Sequence, residues 1–124
     1  MGASKPLKLG NELWENAHYN ERLQPDQMGL GTTNGNSSLF KLDYSYGAPA
    51  NNNGNLAGQL ITVGATSLSQ SYGYDPLNRL LTASEGSNWS QTYDYCSNQF
   101  GNRAVTPGST ILAAGLTPSG LQFV

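Results

Sequence analysis

The chain has 124 residues, of which 37% are hydrophobic and 11% charged, with a formal net charge of −2. That length suits one domain, and the charge balance supplies no basic stripe of the kind nucleic acid needs. A single cysteine, Cys96, excludes an internal disulfide, and a lone cysteine with a lone histidine, His18, argues against a Cys/His metal site.

Charged residues are scarce against a typical share of about 25%, and Gly, Asn, Ser, Thr and seven Tyr take their place. Such a composition favours strands joined by many turns over helices. Disorder of the whole chain is disfavoured, because it normally combines high net charge with few aromatics, and aromatics here reach 10%. No apolar run approaches the roughly 18 residues of a membrane helix. The start, "MGASKPLKLGNELWE", lacks an apolar signal region. No cofactor, nucleic-acid partner or membrane span is expected.

In chain order, "NELWENAHYNERLQ" admits two readings. A short helix would use Asn11 as its N-cap and stop before Pro25, whereas a strand would carry Trp14, Tyr19 and Leu23. The strand is preferred because the segments after it read as strands. In "SSLFKLDYSYGAPANNNGNLAGQLITVG", Phe40, Leu42, Tyr44 and Tyr46 alternate with Lys41, Asp43 and Ser45, the period of a strand with one apolar face. "GAPANNNGN" is a long turn, and Leu56, Leu60, Ile61 and Val63 form the returning strand, giving a hairpin with a long tip.

Next comes "QSYGYDPLNRLLTAS". Tyr72 and Tyr74 share one face of a strand, and Asp75-Pro76-Leu77-Asn78 reads as a type I turn. Asp at the first position accepts turn amides, Pro at the second presets φ, and Asn78 tolerates the left-handed conformation required after such a turn. Arg79, Leu80, Leu81 and Thr82 begin the return, and "SEGSNW" turns the chain again toward Trp89. The phrase then recurs as "QTYDYCSNQFGNRAV", with Tyr93 and Tyr95, a turn at Asn98-Gln99-Phe100-Gly101, and Asn102-Arg103. Two extra residues, Cys96 and Ser97, preserve strand parity. Tyr19, Asn20, Arg22 and Leu23 echo the same phrase more loosely. A recurring phrase is the signature of a repeat architecture.

"YGYDPLNRL" and "YDYCSNQFGNR", with "YSYGAPANNNGNL" as a looser copy, resemble the YD repeat of the Rhs family. That family includes bacterial Rhs polymorphic toxins, shell components of insecticidal toxin complexes, and teneurins. The resemblance implies consecutive β-hairpins in a spiralling sheet, which in full-length members encloses a C-terminal toxin effector. It also implies a secreted or cell-surface setting, and a non-enzymatic, structural role. The repeat-motif residues it marks are Tyr72, Tyr74, Asp75, Asn78, Arg79, Tyr93, Tyr95, Gly101, Asn102 and Arg103. About three copies are present, so the chain reads as a fragment of a longer wall. Its expected partners are neighbouring YD repeats of a parent or companion chain, with a toxin effector as a further one.

The expected fold is therefore all-β, consecutive antiparallel hairpins forming a curved, open partial sheet, each repeat needing a neighbour to bury its face. Residues 1–36 read as an N-terminal partial repeat, 37–105 as the hairpin repeats and 106–124 as an incomplete repeat or loose tail. No two carboxylates are fixed at a spacing that would flank a substrate, and His18 has no nucleophile motif to serve, so no enzyme is expected. The alternative readings are a carbohydrate- or partner-binding module, with Trp14 and Trp89 as candidate glycan contacts, and a truncated piece without independent function.

Overall fold

A computed structural model describes residues 4–95 and 102–106. The described residues are all-β, built from consecutive antiparallel hairpins. It divides into two compact units between Ser69 and Gln70. The first holds strands β1 (Ser4–Lys8), β2 (Trp14–Tyr19), β3 (Pro25–Gly31), β4 (Phe40–Ser45) and β5 (Gly58–Val63). The second holds most of β6 (Thr66–Tyr74), then β7 (Leu80–Glu85), β8 (Trp89–Asp94) and β9 (Ala104–Val105). The single helical element among the described residues is one 3₁₀ turn at Pro49–Asn51, and no described helix is long and apolar enough to cross a membrane.

In the first unit the register lines up Ala17, Met28, Leu42 and Ile61 across four successive strands. One-residue slippage would carry that row to the opposite face, so the row fixes the pairing. The other face carries polar pairs: Gln27 Nε2 donates to Asp43 Oδ1 at 2.8 Å, and Lys41 pairs with Asp43 at 2.9 Å. Residues 11–24 are thus a turn, a strand and a second turn, not a helix. The apolar positions of β4 are only half-buried, and Tyr46 comes just after the strand. The returning strand begins at Gly58, just after Leu56.

Strand β3 has no clear signature in the sequence, because Gly29 and Gly31 interrupt its pattern. Both are buried under the β3–β4 loop. A side chain at Gly29 would collide with Ser37, and one at Gly31 with the Asn36 carbonyl. Glycine is needed at both positions, at Gly31 because the Asn36 backbone lies directly on the strand and at Gly29 because the Ser37 side chain does. Asn16 fastens that loop: its Nδ2 donates to Asn36 O at 2.7 Å and its Oδ1 accepts from Gly35 N at 2.9 Å.

In the second unit, Tyr72 stands opposite Ala83, and Ala83 opposite Gln91. Among the described residues, Ala17 and Ala83 are the buried hydrophobic ones, and no large side chain is fully buried. The two alanines have matching settings, each opposite a large residue (Met28, Tyr72) on the neighbouring strand. With side chains only half removed from water, each contributes well below the ~1.5–3 kcal/mol of full burial. Ladder hydrogen bonds and closed turns therefore carry a large share of the stability.

Candidate functional site

Three hairpin loops share one backbone form: Leu9–Leu13, Asn20–Gln24 and Asp75–Arg79. In each, the first residue's N–H donates to the fifth residue's carbonyl, at 2.7, 2.9 and 2.9 Å. In each, the fourth residue's N–H donates back to the first residue's carbonyl, at 3.1, 2.9 and 2.9 Å. The fourth residue is always left-handed: Glu12 at φ 67, Leu23 at φ 59 and Asn78 at φ 60. A type I turn with a left-handed residue after it matches the twist of the strands it joins.

Asp75 organises the third of these loops. Its Oδ1 accepts from Leu77 N at 2.9 Å and from Arg79 N at 2.8 Å, while Oδ2 accepts from Arg79 Nε at 2.6 Å. Partial burial pushes the carboxyl up, but the bonds from Arg79 and Leu77 and the guanidinium charge outweigh it and hold Asp75 below its ordinary value. Asn20 does the same work without charge. Its Oδ1 accepts from Arg22 N at 2.9 Å and from Gln24 N at 3.0 Å. Asn20 is thus the counterpart of Asp75, and Gln24 that of Arg79.

The tyrosines act one hairpin further on. Tyr95, just beyond β8, donates its hydroxyl to Leu80 O at 2.7 Å, on the first residue after the Asp75–Arg79 turn. Its ring lies under the Arg79 guanidinium, 4.3 Å from the centroid. In the first unit, Tyr46, just beyond β4, donates to Pro25 O at 2.9 Å, on the first residue after the Asn20–Gln24 turn. Burial, then Tyr44 and Asp26 nearby, push the Tyr46 hydroxyl up. The same lock therefore occurs twice: the second tyrosine of a Tyr-x-Tyr phrase holds the turn of the preceding hairpin.

The remaining motif residues fill out this pattern. Tyr72 donates to Gln70 Oε1 at 2.7 Å and Tyr93 to Gln91 Oε1 at 2.5 Å, each two residues back on the same strand face. Tyr74, which ends β6, is pushed up by burial. The Arg103 guanidinium lies over the Tyr93 ring at 4.4 Å, and Asn102 is exposed beside it. Gly101, Cys96 and the turn at 98–101 lie outside the described residues. Trp14 and Trp89 are half-buried strand residues belonging to different units. Near Trp89, bonds from Gln70 and Asn88 hold the Glu85 carboxyl below its ordinary value.

Two arrangements escaped the sequence reading. The long tip of the β4–β5 hairpin is tied down by a side-chain amide pair, Asn52 Nδ2 to Gln24 Oε1 at 2.7 Å and Gln24 Nε2 to Asn52 Oδ1 at 3.1 Å. Arg22 adds bonds to Asn52 O at 2.6 Å and Pro49 O at 3.3 Å. The second is the pair His18 Nδ1 and Asp26 Oδ1 at 2.5 Å. Asp26 is the extra residue of a bulge in the β2–β3 ladder, which lets it reach His18. Open clefts of about 330 and 540 Å³ flank Asp26 and Tyr44, the larger one including His18. No group of three or more His, Cys, Asp or Glu among the described residues could hold a metal ion.

Against known proteins, no family model and no curated protein matches the chain.

Proposed function

We propose that the chain is a non-enzymatic, structural repeat segment of the Rhs/YD type, a stretch of wall from a shell that encloses a toxin effector. The observation that supports this reading is the doubled lock, Tyr46 on Pro25 O and Tyr95 on Leu80 O. It ties two of the three Tyr-x-Tyr phrases, those ending at Tyr46 and Tyr95, to the turn before them. Residues built for that purpose act on stability, whereas ligand-binding residues on an exposed surface usually change stability by less than about 0.5 kcal/mol when replaced.

The lock can be tested one hydroxyl at a time. Tyr46→Phe and Tyr95→Phe each remove one hydroxyl and keep the ring, and each lowers unfolding stability by about 1 kcal/mol. Unchanged stability in both variants overturns the reading. The alternative, a carbohydrate- or partner-binding module, draws support from the cleft beside Arg22, Asp26, Tyr44, Tyr46 and Asn52. It predicts heat of binding to a glycan in a calorimetric titration, lost in Tyr44→Ala, and silence across a broad panel removes it.

A further inference from the structure

The chain contains two Asn-Gly dipeptides, Asn34-Gly35 and Asn53-Gly54, both exposed and both with glycine left-handed, at φ 78 and φ 94. Asn-Gly is the dipeptide best suited to backbone-assisted deamidation, because glycine puts no side chain in the way of the attacking nitrogen. Reaction requires the glycine N–H to lose its proton, so a hydrogen bond donated by that N–H slows it. Both glycine amides donate to an asparagine, but the acceptors differ in kind. Gly35 N donates to Asn16 Oδ1 at 2.9 Å, and Asn16 sits in the middle of β2, with its Nδ2 bonded to Asn36 O on the far side of the turn. Gly54 N donates to Asn52 Oδ1 at 3.0 Å, an oxygen within the same tip that also accepts from Gln24 Nε2.

The electrophile differs too. Asn53 Oδ1 accepts from Asn55 N at 3.1 Å, which folds the side-chain amide forward along its own backbone and polarises its carbon. We propose that Asn53 is a site of spontaneous modification, converted through a succinimide to aspartate and isoaspartate, while Asn34 is shielded by Asn16. The step balances without an added reagent beyond water. Gly54 N gives its proton to solvent and bonds to Asn53 Cγ, the Cγ–Nδ2 bond breaks, and the nitrogen leaves as ammonia. Water then opens the ring at either carbonyl. The product adds one negative charge to a tip that the Gln24–Asn52 pair holds down.

The full chain is incubated near neutral pH, folded or in concentrated urea, and each asparagine is followed by tryptic peptide mass spectrometry with fragmentation that separates aspartate from isoaspartate. In the folded chain Asn53 converts faster than Asn34, by less than the roughly two- to tenfold that a whole net hydrogen bond corresponds to, because both glycine amides donate one. In urea the two rates converge, with Asn34 accelerated more. Asn16→Ala removes the bond to Gly35 outright, raises the Asn34 rate by roughly two- to tenfold and leaves Asn53 unchanged. Equal folded rates, a faster Asn34, or an Asn34 rate unmoved by Asn16→Ala in a chain still folded by circular dichroism overturns the proposal. Should that variant unfold, the folded and urea rates of the unaltered chain decide alone.

Discussion

The loops Asn20–Gln24 and Asp75–Arg79 have the same backbone and the same two closing hydrogen bonds, yet they are stabilised by different chemistry. The second uses a carboxylate, a guanidinium and an aromatic ring, with Arg79 bound to Asp75 and stacked on Tyr95. The first uses neutral amides: Asn20 holds the turn, and Gln24 pairs with Asn52 across the neighbouring tip. One backbone solution is thus reached by two side-chain sets. Backbone twist and turn geometry come first, and the motif's recognisable letters are one way of satisfying them.

The left-handed position separates the two loops most sharply. Asn78 is suited to φ 60, whereas Leu23, a residue 74% exposed, holds φ 59. Asn78→Val puts a β-branched residue where such residues are rarely found and costs about 2 kcal/mol, while Asn78→Gly is tolerated. Leu23→Gly removes the left-handed penalty and raises stability by roughly 1 kcal/mol. Urea unfolding midpoints measure all three, and equal stabilities for Asn78→Val and Asn78→Gly would contradict the shared turn form.

Acid gives a smaller and more local contrast. A carboxyl whose folded pKa lies below its unfolded value binds fewer protons when folded, so its contribution is complete above the unfolded value and fades as pH falls toward the folded one. Asp75 and Glu85 are both shifted in that direction. Below about pH 4, near ordinary carboxylate values, the amides of Leu77 and Arg79 lose protection from hydrogen exchange, corrected for the intrinsic rate. Those of Arg22 and Gln24, which donate to neutral Asn20, keep theirs. Asp75→Asn preserves an acceptor for the same amides and removes the acid response.

These contrasts also explain what could be read from the residues alone. The Asp-Pro-Leu-Asn turn was legible because each letter has a local chemical reason. Its twin at Asn20–Gln24 was visible only as an echo, since Leu23 advertises a strand and not a left-handed turn. The echo also misplaced Arg22, which occupies the position of Leu77 and reaches Asn52 O and Pro49 O. Strand β3 was hidden by Gly29 and Gly31, whose reason is a loop lying over them. The targets of Tyr46 and Tyr95 are backbone carbonyls, Pro25 O and Leu80 O. Any residue has a carbonyl, so composition carries no trace of the lock.

The most direct test of whether consecutive copies hold one another through their side chains is a double-mutant cycle in urea unfolding between Arg79→Gln and Tyr95→Leu, which isolates the coupling between the Arg79 guanidinium and the Tyr95 ring. A half-exposed guanidinium over a ring gives a coupling of about 0.5–1 kcal/mol, and that value is predicted here. Strict additivity of the two losses would mean that the turn residue and the tyrosine of the next copy do not hold one another through the ring, and the side-chain part of the interlock would have to be abandoned.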